Sequence, residues 1–151
     1  MNKITVVGAG RVGESTAQFI ASKDLCRELV LIDIREGAAE GAALDIQEDA
    51  PLFQFDTRLK GGTDHALMAD SDLIIVTAGI PRKPGMSRDD LISTNAKIVT
   101  SVTTGILEHS ENPIIIIVSN PLDVMTYAAH SVSGLSDKRR PMICYIFLIG
   151  I

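Results

Sequence analysis

Residues 4–20 read "ITVVGAGRVGESTAQFI". Ile4 to Val7 are all β-branched, which favours a strand because branched side chains pack well on a pleated surface. Three glycines follow, Gly8, Gly10 and Gly13, and then a helical pattern. A strand that passes through a tight turn straight into a helix is the first half of a βαβ unit, so the sheet is expected to be parallel.

Outward from this stretch the same alternation continues. Strands are expected at 3–7, 28–33, 57–61, 72–77 and 113–118, and helices near 12–22, 37–48, 88–110 and 121–132. The third helix has the clearest start: Ser87 is a good cap, Asp90 three positions later resembles a capping box, and Leu91, Ile92, Ile98, Val99, Val102 and Ile106 trace one apolar face. The expected fold class is α/β, a Rossmann-type doubly wound parallel sheet, as one dinucleotide-binding domain over residues 1–140. Residues 141–151, "PMICYIFLIGI", are almost wholly apolar. A buried final strand and a damaged reading frame both explain that tail.

The glycine spacing is G-x-G-x-x-G. Gly8 allows the turn, Gly10 lets the backbone approach a pyrophosphate, and Gly13 lets helix and strand pack closely. Phosphates would sit on the helix N-terminus, where unpaired N–H groups and the macrodipole favour negative charge. A turn serving packing alone is the competing explanation. Asp33 ends the second strand twenty positions past Gly13, where a carboxylate can bond the adenosine ribose hydroxyls and repel a 2′-phosphate. NAD is therefore favoured over NADP, with Arg35 close enough to temper the preference. Two further strand ends, Thr77, Ala78 and Gly79 and then Val118, Ser119 and Asn120, are expected to line the crevice at the carboxyl edge of the sheet. For Asn120 an ordinary helix N-cap before Pro121 is an equal alternative.

The formal net charge of −5 and pI near 5.1 give no overall field to attract nucleic acid or an anionic membrane. Apolar runs fall short of the roughly 20 residues a membrane span needs. Cys26 and Cys144 lack metal-ligand or redox spacing, which points to a cytoplasmic chain with reduced thiols, and no metal cluster is evident.

Within "AGIPRKPGMSRDDL", residues 78–91, Arg82 and Arg88 lie on a loop stiffened by Pro81 and Pro84. Arginine presents a planar fork that grips a carboxylate through two parallel bonds, although an arginine near a helix start is also a common solvated surface residue. "GAGRVG", "LVLIDI", "VTAGIPRKPGMSRDDL" and "IIVSNPLDVMTYAA", in this order, closely resemble the NAD-binding half of malate dehydrogenases of the lactate dehydrogenase-like class, from residue 3 to about Leu135.

The resemblance implies that Gly8, Ala9, Gly10, Arg11, Val12, Gly13 and Asp33 bind NAD, and that Asn95, Val118, Ser119 and Asn120 line its nicotinamide side. It implies that Arg82 binds the distal carboxylate of malate or oxaloacetate, where lactate dehydrogenases usually carry glutamine. Arg88 would polarise the reacting carbonyl, and Asn120 would contact the same oxygen. The family's catalytic histidine and its orienting aspartate lie beyond this half. The aspartate's "LDxxR" segment would begin near Phe147, where this chain reads "FLIGI", so no catalytic residue is assigned and the substrate domain is expected to be absent. His65, His109 and His130 are expected to be surface or packing residues.

The expectation is an isolated chain that binds NAD weakly without turning over malate, and a homodimer or tetramer for the complete enzyme. Two alternatives remain: a stand-alone nucleotide-binding or interaction module whose apolar tail docks a partner, and a dehydrogenase of lactate or another 2-hydroxy acid. Arg82 argues against the latter.

Overall fold

The computed structural model describes residues 1–111, 113–134 and, as backbone, 143–145. In chain order it forms β1 (Lys3–Val7), α1 (Arg11–Ser22), β2 (Glu28–Ile32), α2 (Ala38–Glu48), α3 (Ala50–Phe53) and β3 (Arg58–Gly62). A 3-10 turn (His65–Met68), β4 (Leu73–Val76), α4 (Arg88–His109), β5 (Ile114–Ile117), α5 (Leu122–Ser133) and β6 (Ile143–Tyr145) follow. All neighbouring strands are parallel, in the order β3-β2-β1-β4-β5-β6. From β1 the chain first builds outward through β2 and β3, then returns to the other side of β1 for β4. That reversal opens a crevice between the loops that leave β1 and β4.

Because side chains alternate across a strand, each apolar run supplies both faces of the sheet. Ile4, Val6, Leu29, Leu31 and Ile75 pack with Ala17, Ile20 and Ala21 of α1 and Ala39, Ala42, Ala43 and Ile46 of α2. Val7, Val30, Ile32, Ile74, Val76, Ile115 and Ile117 face the other way, against Val99, Val102 and Ile106 of α4 and Met125 and Ala129 of α5. The doubly wound arrangement follows from strands that are apolar on both sides.

The capping box of α4 is present: Ser87 Oγ accepts from the Asp90 amide at 3.0 Å, and the Asp90 carboxylate accepts from the Ser87 amide at 3.2 Å. The Ser87 hydroxyl, which donates to Asp90 Oδ2 at 2.6 Å, and then the Ser87 amide hold the Asp90 carboxyl below the usual carboxylate range. The start of α5 decides against Asn120 as the helix cap, one of the two readings of that residue. The N-cap of α5 is Pro121 and no side chain caps it, while the preceding Asn120–Pro121 peptide is cis. The Asn120 carbonyl accepts instead from Asn95 Nδ2 at 2.9 Å, which ties Asn120 to α4 rather than to the helix it precedes.

The short α3 and the 3-10 turn were not expected from the sequence. In the expected tail, the backbone of 143–145 pairs with β5, and the remainder of 141–151 lies outside the described residues. No helix among the described residues is long and apolar enough to cross a membrane.

Candidate functional site

Hydrogen bonds between distant segments join the loops at the carboxyl ends of β1, β2, β4 and β5. The Gly8 amide donates to Ile32 O at 2.7 Å, joining β1 to β2. Thr77 Oγ1 donates to Gly8 O at 2.9 Å, joining β4 to the same turn. Ser119 Oγ donates to Ala78 O at 2.6 Å, joining β5 to β4. Asn95, buried inside α4, closes the set: its Oδ1 accepts from the Ile80 amide at 2.8 Å, and its Nδ2 donates to Ile80 O at 3.2 Å and to Asn120 O at 2.9 Å. Gly8 to Gly13, Asp33, Thr77 to Gly79, Asn95 and Val118 to Asn120 thus meet at one edge. The hydroxyls of Thr77 and Ser119 and the amide of Asn95 are engaged with backbone and set the shape of that edge.

The three glycines of the turn are not equivalent. Gly8 has φ +106°, and a Cβ there would lie 2.8 Å from the Ala78 amide nitrogen. At Gly13 a Cβ would fall onto the Gly8 carbonyl oxygen. The fold therefore requires glycine at both positions. At Gly10 a Cβ would meet nothing within 4 Å. A turn built for packing alone accounts for Gly8 and Gly13 and leaves Gly10 without a reason. Gly10 is also the N-cap of the 12-residue α1 and brings no side chain to it. First-turn amides have no partners within a helix, so the open space above Gly10 suits an anion, and a pyrophosphate fits it.

Asp33 sits just beyond β2, its side chain only 10% exposed. Its Oδ2 accepts from the Ala9 amide at 2.8 Å and its Oδ1 from the Arg35 amide at 2.9 Å. The Arg35 guanidinium lies on the same carboxylate, with Nε 3.1 Å from Oδ1. Burial alone would raise the Asp33 pKa, but the bonds from the Arg35 side chain and the Arg35 and Ala9 amides outweigh it and hold the carboxyl below its ordinary value.

Arg82 lies on the loop after β4 and Arg88 opens α4, where that loop ends, and both are exposed. Arg82 Nε donates to Met86 O at 3.0 Å, which folds the loop back on itself around Pro84 and Gly85. Neither guanidinium enters an ion pair among the described residues. The histidines are elsewhere: the His65 ring abuts Gly105 near the C-terminal end of α4, and His109 Nδ1 lies 2.9 Å from Gly105 O. A cavity of about 530 Å³ lined by Met1, Asp24, Cys26, Arg27, Glu28 and Arg58 lies at the amino ends of the strands, away from this edge.

A doubly wound parallel sheet with an open glycine turn, an uncapped helix N-terminus and a carboxylate at the end of the second strand defines a dinucleotide-binding α/β protein. The family model described as lactate/malate dehydrogenase, NAD binding domain, matches residues 2–141, and the chain belongs to this family. Its cofactor is accordingly NAD.

The chain is 63% identical to the malate dehydrogenase of Thioalkalivibrio sulfidiphilus over 139 residues, which cover 92% of this chain and 45% of that protein. It is 57% identical to that of Chlorobium phaeovibrioides over 137 residues, covering 91% and 44%. Among solved structures, the apo malate dehydrogenase of Picrophilus torridus matches with a TM-score of 0.89 at 43% identity, covering 96% of this chain and 45% of that one. The Cryptosporidium parvum lactate dehydrogenase complexed with lactic acid and NAD matches at 0.83 and 38%, covering 89% and 42%. The chain spans about half the length of the curated relatives it matches.

Proposed function

We propose that this chain supplies the NAD-binding half of a malate dehydrogenase, which interconverts malate and oxaloacetate. One observation carries the substrate class. Arg82 on the Pro/Gly loop after β4 and Arg88 at the first position of α4 are both exposed, and neither forms an ion pair with an acid among the described residues. Arg82 grips the distal carboxylate of a C4 dicarboxylate through two parallel bonds, while Arg88 draws electron density from the carbonyl that is reduced. Asn120, exposed at the end of the β5 loop, binds the same oxygen. NAD, when bound, supplies the hydride acceptor.

The first-turn amides of α1 and the open face of Gly10 receive the pyrophosphate, with Ala9, Arg11 and Val12 around it and Asp33 on the ribose. Thr77, Ala78, Gly79, Val118 and Ser119 wall the crevice, and Asn95 holds that wall in place by its backbone bonds. Proton transfer at the carbonyl belongs to a histidine and an aspartate in the other half of the enzyme. We further propose that the protein works in the cytoplasm as a homo-oligomer. Burial raises the Cys26 thiol pKa to about 11, in keeping with a structural, reduced cysteine, and exposed Phe19, Leu44, Leu52 and Phe53 offer an apolar subunit contact.

The test of the substrate assignment is Arg82→Gln in the complete enzyme. Loss of a charge-assisted carboxylate contact is expected to lower kcat/KM for oxaloacetate relative to pyruvate by about 10- to 100-fold. An unchanged ratio would remove Arg82 from the substrate site. Turnover of oxaloacetate by residues 1–151 alone would overturn the division of labour proposed here.

A further inference from the structure

The adenosine end of the site contains a competition between a residue of the chain and the ligand. A carboxylate has about four lone-pair positions, and all four of Asp33 are taken. Oδ1 accepts from the Arg35 amide at 2.9 Å and from Arg35 Nε at 3.1 Å. Oδ2 accepts from the Ala9 amide at 2.8 Å and from Arg35 Nη2 at 3.4 Å. The two amide bonds belong to the fold of the loops and do not yield. The other two come from a side chain that is 64% exposed. Its remaining bond, Nη2 to Ala9 O at 3.1 Å, keeps it over the carboxylate.

We propose that Arg35 is a specificity-setting latch on the ribose site: it must leave Asp33 before a ribose diol can bond there, and it makes the site tolerant of a 2′-phosphate. This rests on the NAD-binding reading above. A diol needs two acceptor positions, and those held by the Arg35 side chain are the two that can be vacated. With the guanidinium on Asp33, the corner carries a balanced pair instead of a bare negative charge, so the repulsion that excludes a 2′-phosphate is largely cancelled. The guanidinium fork is also a natural phosphate partner. Arg35 therefore weakens binding of the unphosphorylated ribose and strengthens binding of the phosphorylated one. Removing it moves both affinities in the direction of greater selectivity.

The test is calorimetric titration of the 151-residue chain and its Arg35→Gln and Arg35→Lys variants with ADP-ribose and with 2′-phospho-ADP-ribose. Position 35 is exposed, so circular dichroism spectra of the three proteins are expected to coincide. Arg35→Gln is expected to raise the ratio of ADP-ribose affinity to 2′-phospho-ADP-ribose affinity by about tenfold or more. Arg35→Lys, which keeps the charge but cannot span both oxygens, is expected to fall between. If ADP-ribose binds all three proteins and the ratio does not move, the latch is refuted while the cofactor site stands. If neither ligand binds any of them, the cofactor reading itself fails, and the latch with it.

Discussion

Gly10 and Gly13 lie in one turn, yet substitutions there test different properties of the chain. A methyl group at Gly13 meets the Gly8 carbonyl, a backbone atom held in place by Thr77. Gly13→Ala is therefore expected to cost about 3 kcal/mol, the upper end for overpacking, seen as a lowered midpoint in thermal unfolding. A methyl group at Gly10 meets nothing. Gly10→Ala is expected to unfold like the parent chain and to bind NAD more weakly in calorimetry, because the methyl occupies the approach to the pyrophosphate. Equal unfolding curves and equal affinities would contradict the placement of the phosphates.

Asp33 gives a second test at this scale, with a defined sign. Its carboxyl is held below the ordinary value, so the stability it lends the turn is complete above about pH 3.9 and is lost as pH falls through the lowered folded value. Asp33→Asn is expected to lower stability at neutral pH and to flatten the acid side of the unfolding profile, measured by urea titration at stepped pH.

Among the elements, the start of α4 was legible because two residues on consecutive sides of one turn, Ser87 and Asp90, carry the signal. The strands β1, β2, β4 and β5 were legible because runs such as Ile114 to Ile117 are apolar on both faces, whereas β3, "RLKGG", carries no such run. The four-residue α3 was not, since "APLF" is too short to show a period. The 3-10 turn hid for the same reason, although Asp64, whose Oδ1 accepts from the Ala66 amide at 2.9 Å, marks its start. Asn120 was half legible: Asn before Pro is locally the same whether it caps a helix or not, and the deciding partner, Asn95, comes from another helix.

The family resemblance implies a place for Asn95 at the cofactor crevice, but the bonds of its amide to Ile80 and Asn120 show only in three dimensions. Asn95→Leu leaves the Ile80 amide and two carbonyls without this partner, and is expected to destabilise the chain by about 2–3 kcal/mol in urea unfolding while weakening NAD binding. A variant as stable as the parent would show that the clamp contributes nothing.

The molecule as a whole leaves large apolar side chains in water. Leu52 is 76% exposed and Phe53 49%, on α3, with Leu44 on α2 and Phe19 on α1. If subunits associate through these helices, Leu52→Glu with Phe53→Asp is expected to shift sedimentation toward the monomer without lowering the unfolding midpoint, because neither side chain belongs to the core. An unchanged sedimentation profile would send the subunit contact elsewhere.

The stitches from Thr77 to Gly8 and from Ser119 to Ala78 join segments 69 and 41 residues apart. No early portion of the chain can assemble the crevice alone, so during synthesis it has to wait until β5 has emerged. Cofactor affinity is thus a property acquired late and all at once. A ligand that recognises only the finished crevice acts as a thermodynamic clamp on both halves of the sheet, worth about 2.7 kcal/mol at one hundred times its dissociation constant. A nascent polypeptide arrested before Ile114 should gain none of that protection.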